Sequence, residues 1–231
     1  MIATRVAAVR ERIARAAERA SRPAEAVRLV AISKTFPAEA VREAFSAGVR
    51  DFGENRVQEA ESKIAALADL GAAGLHWHLV GHLQSNKARR AATLFDTVHS
   101  IDSLDLARRL ARVGAESGCT LRGLVQVDLA GEQTKFGLDE GELLTALEAL
   151  RGEPGLGVEG LMALPPYLED PEAVRPFFRR LRELGERATA AGLAGRELSM
   201  GMSHDFEVAI EEGATMVRVG SAIFGERTYA G

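Results

Sequence analysis

The chain has 231 residues, a formal net charge of −4 and 46% hydrophobic residues, an ordinary composition for a folded globular protein. The near balance of 33 acidic and 29 basic side chains excludes a strong global field for nucleic acid or an anionic membrane surface. A single cysteine excludes an internal disulfide, and no apolar run approaches the ~20 residues that span a bilayer. We therefore expect a cytoplasmic protein that binds neither nucleic acid nor membrane.

The chain opens with an amphipathic helix over residues 2–20, in which Ile2, Val6, Val9 and Ile13 recur at helical spacing. After it, short apolar runs rich in β-branched residues alternate with longer helical patterns. The predicted strands are Val27–Ser33, Val49–Phe52, Leu75–Val80, Thr97–Ser100, Leu121–Leu129, Val158–Ala163, Glu197–Met200 and Thr215–Val219. The predicted helices between them cover residues 37–47, 54–69, 84–94, 103–117, 139–150, 171–191 and 204–212.

Eight strands that alternate with helices predict a parallel sheet. An open doubly wound sheet and a closed (β/α)8 barrel of the TIM type both contain such units. The even spacing of the units favours the barrel, because its idealised form requires that number of strands. The predicted fold is therefore a single α/β barrel domain over residues 1–231, with an extra N-terminal helix.

Polar residues follow several of these strands, at the ends where α/β barrels carry their reactive groups. Lys34 follows strand one, Asn55 follows strand two and Ser203 follows strand seven. Gly220 and Ser221 follow strand eight. Because barrel closure makes strand eight a neighbour of strand one, these residues are expected to share one arc of the rim.

Lys34 has the same face parity as Val30 and Ile32 on strand one. If that face is the barrel interior, partial desolvation lowers the pKa of the amine and favours its neutral form. A neutral amine is the form that condenses with an aldehyde. A lysine that reaches solvent from a strand end accounts for the same spacing, so both interpretations stay open.

Gly220 and Ser221 begin a short helical turn, where backbone N–H groups and the helix dipole favour an anion such as phosphate. A plain turn with Ser221 as N-cap is the alternative, and Ser203 can add a hydroxyl donor to either. Arg218 has the parity of Met216, so its guanidinium is expected to be buried with an acceptor. That acceptor is an aromatic ring nitrogen or an acidic side chain. A lysine, an anion site and an inward arginine on adjacent strands suit a phosphorylated aldehyde.

His76 and His78 lie on one face of strand three, on either side of Trp77. Two histidines at this spacing can ligate a metal, but no third ligand follows at a suitable distance in the sequence. We therefore interpret both as hydrogen-bonded strand histidines and predict no metal site.

Several motifs together are similar to those of one known family, the pyridoxal phosphate homeostasis proteins. The similarity covers about residues 1–228 and is carried by AISKT (31–35), FGENRVQE (52–59), WHLVGHLQSNK (77–87), HSIDS (99–103), GLMA (160–163) and the segment from Leu198 to Arg227. This resemblance implies a fold like the N-terminal domain of alanine racemase. It also implies pyridoxal 5′-phosphate (PLP) held as a Schiff base on Lys34.

The resemblance further implies roles for the other rim residues. Ser203, Gly220 and Ser221 are expected to contact the phosphate, Arg218 to lie near the pyridine nitrogen and Asn55 to lie near the cofactor. Members of the family are described as non-catalytic PLP carriers or regulators of vitamin B6 and amino-acid balance. The expected partners are therefore PLP and PLP-dependent apo-enzymes, and the expected oligomeric state is a monomer or weak homodimer.

Three functions remain: a PLP-binding homeostasis protein, a PLP-dependent amino-acid racemase, and a PLP-free barrel enzyme that uses Lys34 on a phosphorylated sugar. Racemisation needs proton transfer on both faces of the substrate carbanion. The tyrosines of this chain are Tyr167 and Tyr229, and neither is an obvious second base. An arginine at the pyridine nitrogen also makes PLP a poorer electron sink. The first function is therefore favoured, with no catalytic residue assigned.

Overall fold

The structure is a computed structural model that describes residues 1–131 and 136–225. Its elements, in chain order, are α1 (Ile2–Arg19), β1 (Arg28–Ile32), α2 (Ala38–Ser46), β2 (Asp51–Glu54), α3 (Val57–Ala66), α4 (Ala68–Gly71), β3 (His76–Leu79), α5 (Ala88–Leu94), β4 (Thr97–Ile101), α6 (Leu104–Glu116), β5 (Leu121–Asp128), β6 (Leu138–Asp139), α7 (Leu143–Ala149), β7 (Leu156–Ala163), α8 (Arg175–Ala190), β8 (Glu197–Ser199), α9 (Phe206–Glu211), β9 (Met216–Val219) and α10 (Ser221–Phe224). Single 3-10 turns cover Ala24–Ala26, Ser85–Lys87 and Pro171–Val174.

The strands close into a ring. Within the described residues, β1 pairs with both β2 and β9, and the order continues through β3, β4, β5, β7 and β8 back to β9. The pairing of β4 with β5 completes the circle, and the pairings are parallel. The short β6 adds to one end of β5 and was not predicted. The closed TIM-type barrel is therefore confirmed, and the open sheet is wrong.

The barrel has two apolar layers. One fills its interior and contains Val30, Ile32, Val80, Leu124, Met162 and Met216. The other, larger layer lies between the strands and the surrounding helices. Parallel strands covered on both faces need apolar residues at successive positions, and this explains why the strands read as continuous apolar runs. The interior position of Val30 and Ile32 confirms the predicted parity of strand one.

The predicted N-terminal helix is present as α1. Val6, Val9 and Ile13 are buried on one face, and the helix packs against α2, α9 and α10. These three helices flank β1 and β9 in the chain, so α1 covers the side of the barrel where β1 pairs with β9. Within residues 1–131 and 136–225, we find no helix with the length and apolar character needed to cross a bilayer.

Strand two begins and ends two residues later than predicted, at Asp51 and Glu54 instead of Val49 and Phe52. The sequence signal stopped at Phe52 because a glycine and a charged residue follow it. Pairing with both neighbours extends the strand, since Gly53 lies opposite Ile32 on one side and His78 on the other. Glu54 is consequently a fully buried strand residue and not the first residue of the following helix, which begins at Val57.

Candidate functional site

The site is built where the last strand meets the first. In the pairing of β1 with β9, Val30 lies opposite Arg218 and Ala31 opposite Val219. The next residue, Gly220, packs so closely on Ile32 that an added Cβ would lie 3.3 Å from the Ile32 carbonyl oxygen. Lys34 follows Ile32 by two residues. The amine-bearing loop and the turn after β9 are therefore neighbours on the carboxyl-terminal rim of the barrel.

Lys34 is half-buried in a tight turn in which the Phe36 N–H donates to the Ser33 carbonyl oxygen at 3.1 Å. The following residue, Thr35, has a φ of 68°, in the left-handed region. This conformation is rare and costly for a β-branched residue. A hydrogen bond from the Thr35 N–H to the Glu59 carboxylate holds it in place. The backbone beside Lys34 is thus strained and fixed.

A buried ionic network supports this turn from β2 and α3. The Lys63 ammonium donates to the Glu54 carboxylate at 2.6 Å and to the Ser33 carbonyl oxygen at 2.8 Å. The Ser33 hydroxyl also donates to Glu54, at 2.6 Å. Burial raises the pKa of Glu54, and the hydrogen bond from Lys63 opposes that shift. The network joins the backbone immediately before Lys34 to two other elements, which restricts where the amine can lie.

The turn after β9 directs two backbone N–H groups at one acceptor. The Ser203 hydroxyl oxygen accepts from the N–H of Gly220 at 3.1 Å and from that of Ala222 at 3.4 Å. Ser203 reaches this position because Gly201, with a φ of 91°, turns the chain sharply after β8. Convergent N–H groups at a strand-to-helix turn form a favourable environment for an anion.

The alternative role of Ser221 as an N-cap is wrong, because Gly220 occupies the N-cap position of α10 and Ser221 is the first helical residue. The Ser221 side chain is exposed. Its hydroxyl is therefore available on the rim side of the turn and is not used to satisfy the helix terminus.

Arg218 lies inside the barrel, with 3% of its surface exposed. Its guanidinium donates to the Ser199 hydroxyl oxygen at 2.6 Å and to the Ala163 carbonyl oxygen at 2.8 Å. Burial lowers its pKa to about 10, so the group stays protonated at neutral pH. The sequence left an acidic side chain open as its acceptor, but the acceptors found within the described residues are a hydroxyl and a carbonyl. Asp205 favours the charged guanidinium through its negative charge.

Asn55 follows β2 on the same rim and is half-buried. The loop after β3 packs directly on it, because an added Cβ at Gly81 would lie 2.4 Å from the Asn55 carbonyl oxygen. A cleft of about 530 Å³ opens beside Asn55 and is lined by His82 and Lys87 among others. His82 stacks on Phe136 with ring centroids 3.7 Å apart. Asn55 thus stands between the Lys34 side of the rim and an open cleft.

The histidine prediction is confirmed for His78, which is buried and hydrogen-bonded to Asp51 and His99 at 3.0 and 2.9 Å. His76 is exposed at the start of β3. In the part of the chain that the structure describes, no group of three or more His, Cys, Asp or Glu side chains is arranged to hold a metal ion.

Sequence reasoning missed His99 and the pair Glu54–Lys63. The inward parity of His99 on β4 was a signal that could have identified it.

Comparison with known proteins identifies the family. The family model for the alanine racemase N-terminal domain matches residues 5–228 of this chain. A pyridoxal phosphate homeostasis protein of Pseudomonas aeruginosa is 46% identical over 228 residues, which cover 99% of this chain and 96% of that protein. The one of Aquifex aeolicus is 45% identical over 226 residues, with 97% and 98% covered. The chain belongs to the pyridoxal phosphate homeostasis protein family.

Solved structures agree with this membership. PipY of Synechococcus elongatus PCC7942, in its form with PLP bound, superposes with a TM-score of 0.86 at 41% identity, covering 97% of this chain and 100% of that one. Alanine racemase of Clostridium difficile 630 gives a TM-score of 0.71 at 15% identity, covering 95% of this chain and 56% of that one. The second likeness concerns the fold alone. The pyridoxal phosphate homeostasis family thus shares its barrel with the N-terminal part of alanine racemase, as the motifs implied.

Proposed function

We propose that this protein binds PLP as a Schiff base on Lys34 and acts in intracellular PLP and amino-acid homeostasis without turning over a substrate. The relatives named above and the PLP-bound structure of PipY support this function. The observation that carries it is the pairing of β1 with β9, which brings the loop of Lys34 beside the N–H groups of Gly220 and Ala222.

The residues present fit the chemical groups of PLP. Lys34 would hold the aldehyde group of PLP through its side-chain amine, since a neutral amine is the form that condenses with an aldehyde. The strained Thr35 backbone and the Lys63–Glu54 network hold the amine-bearing turn in place. PLP bound in this way supplies a visible chromophore and a reactive aldehyde equivalent.

The phosphate is assigned to the turn after β9. The backbone N–H groups of Gly220 and Ala222 converge on the Ser203 hydroxyl oxygen, so this turn presents donors to an oxygen acceptor, which suits a phosphate nearby. In this assignment Ser203, Gly220 and Ser221 contact the phosphate, and Asn55 contacts the cofactor from the β2 side. Arg218 would donate to the pyridine nitrogen from the barrel interior.

A non-catalytic role is supported by the charge of Arg218. Since the guanidinium is a donor at neutral pH, a pyridine nitrogen facing it accepts a hydrogen bond and stays unprotonated, which weakens the ring as an electron sink. A racemase also needs a base on the opposite face. Tyr167 is 72% exposed and lies against His204 with ring centroids 5.2 Å apart, and Tyr229 lies outside the described residues.

We propose cytoplasmic PLP-dependent apo-enzymes as recipients of PLP and a monomer or weak homodimer as the acting form.

The test is borohydride reduction of the PLP-treated protein followed by peptide mass spectrometry. We expect a pyridoxyl group on Lys34 and a visible absorption band that Lys34→Ala removes and Lys87→Ala retains. A pyridoxyl group on another lysine, or a band that survives in Lys34→Ala, contradicts the assignment. Rapid Lys34-dependent interconversion of alanine enantiomers would support the racemase, and trapping of a sugar phosphate in place of PLP would support the PLP-free enzyme.

A further inference from the structure

Five polar side chains form one continuous chain of hydrogen bonds through the barrel interior. Asp51 contacts His78 at 3.0 Å, and His78 contacts His99 at 2.9 Å. His99 contacts Ser199 at 2.9 Å, and Ser199 accepts from Arg218 at 2.6 Å. These residues lie on β2, β3, β4, β8 and β9. Because β4 and β8 are not neighbours in the sheet, the contact between His99 and Ser199 crosses the interior.

The direction of every hydrogen bond follows from the groups involved. The guanidinium of Arg218 is only a donor, so the Ser199 oxygen accepts from it. At the other end the Asp51 carboxylate is only an acceptor, so with both histidines neutral the Ser199 hydroxyl donates to Nδ1 of His99. A neutral His99 then carries its proton on Nε2 and donates to Nδ1 of His78. His78 in turn carries its proton on Nε2 and donates to the Asp51 carboxylate. All donors point the same way, and both histidines are fixed in the same tautomer.

Burial enforces this arrangement. His99 and Ser199 have no exposed surface, and His78 has 2%. Burial above all, together with the nearby positive charge of Arg218, holds the pKa of His99 well below its ordinary range. A buried polar group left without a partner is costly, so the hydrogen bonds depend on one another.

The far end of this chain reaches solvent at the opposite mouth of the barrel. A cleft of about 300 Å³ at the start of the strands is lined in part by Asp51 and His78. Its other charged and titratable groups are Arg28, Arg50, His76, Asp96 and Arg122. Arg28 lies 3.9 Å from the Asp51 carboxylate. The carboxylate that ends the chain is thus in contact with solvent and with a neighbouring cation.

We propose that Asp51, His78, His99 and Ser199 are positioning residues that hold the donor groups of Arg218 in one orientation and couple them to the cleft at the opposite mouth. A change at Asp51 is transmitted through both histidines and Ser199 to the guanidinium. Where Arg218 faces the pyridine nitrogen, the same change reaches the cofactor, and this last step rests on the proposed function. When one of these residues is substituted and Lys34 is kept, we expect PLP retention and the visible absorption band to change.

The first experiment measures the histidine tautomers of the full-length protein without PLP. In long-range ¹H–¹⁵N correlation spectra of ¹⁵N-histidine-labelled protein, we expect His78 and His99 each to have a bare Nδ1 and a protonated Nε2. Asp51→Asn is nearly isosteric and should still shift the His99 resonances, although of the two histidines Asp51 contacts only His78. His76→Gln, on the same strand and face, is the matched control and should leave His99 unchanged. A protonated Nδ1 on either histidine, or an unmoved His99 in Asp51→Asn, overturns the proposal.

The second experiment measures PLP retention and the absorption maximum. Ser199→Ala removes the link to Arg218 and is expected to weaken PLP retention by about three- to tenfold while shifting the band. Asp51→Asn acts from the far end and should change retention and band in the same direction, with His76→Gln again unchanged. If wild-type protein forms no band, the proposed function fails while the tautomer measurement still decides the chain of hydrogen bonds. If the band forms and both variants behave like wild type, the coupling is disproved.

Discussion

The Lys63 ammonium lies 2.6 Å from the Glu54 carboxylate, and both side chains are buried beneath the turn that carries Lys34. Partners in a buried ion pair depend on each other, because removal of one leaves a charge in a poorly solvated place. The Lys63 ammonium also donates to the Ser33 carbonyl oxygen. Stability and the geometry of the Lys34 turn are therefore linked at this position.

Lys63→Met is expected to lower the free energy of unfolding by about 3–5 kcal/mol, because Glu54 loses its buried countercharge. The double variant Glu54→Gln/Lys63→Met removes both charges and should recover a large part of that loss. Urea unfolding at pH 7 measures both values. A double variant that is no more stable than Lys63→Met would show that the two charges do not act as a pair.

Thr35→Gly is expected to stabilise the fold by about 1 kcal/mol and to weaken PLP retention, because glycine adopts a positive φ without strain but leaves the turn less constrained. The matched control is Ser21→Gly, since Ser21 also has a positive φ, of 53°, at the end of α1. That variant should alter stability in the same direction and leave PLP retention unchanged. Unfolding curves and PLP dissociation constants compare the two. Equal effects on PLP in both variants would argue against a role for the strained Thr35 backbone.

His99 gives the stability a definite pH dependence. Its folded-state pKa is held well below 6.5, so the unfolded chain binds a proton that the folded protein does not. Its contribution is present above pH 6.5 and is lost as the pH falls below it, at about 1.4 kcal/mol per pH unit at most. As the pH is lowered from 7.5 to 5, the free energy of unfolding should thus fall less steeply in His99→Gln than in wild type. His76→Gln, whose side chain is 55% exposed, should retain the wild-type slope, and a wild-type slope in His99→Gln would refute the burial argument.

Gly81→Ala is expected to cost about 1–3 kcal/mol, since its Cβ would lie 2.4 Å from the Asn55 carbonyl oxygen and must displace backbone. The displacement should also weaken PLP retention through Asn55. Gly71→Ala, in α4, meets no atom within 4 Å and should be neutral or slightly stabilising. Thermal unfolding and PLP titration distinguish the two variants. A Gly81→Ala protein with unchanged stability would mean that the loop after β3 adapts freely.

The sequence was sufficient for the barrel and for the rim, because both depend on local patterns. Apolar runs at regular spacing predicted the strands, and the position of Lys34, Asn55, Ser203 and Gly220 after those strands followed from closure. Which chemical group meets which across the interior is a different question. His99 and Ser199 are 100 residues apart in sequence and on strands that do not pair, so neither periodicity nor strand adjacency indicates their contact.

The error at strand two has the same origin. Glu54 was predicted to begin a helix, because the apolar run of strand two ends at Phe52. Its partner Lys63 lies on α3, nine positions later, and the two become neighbours only when that helix packs on the barrel. A buried ion pair between a strand and the following helix leaves no hydrophobic pattern, whereas the apolar face of α1 was evident from its spacing.

Closure of the ring by β9 also determines when the site can exist during biosynthesis. The ribosome synthesises Lys34 184 residues before Arg218, and the turn at Gly220 follows Arg218. A nascent polypeptide that lacks β9 presents the amine without the guanidinium or the convergent N–H groups. A cofactor site built from these residues therefore requires that β9 has been synthesised and has paired with β1.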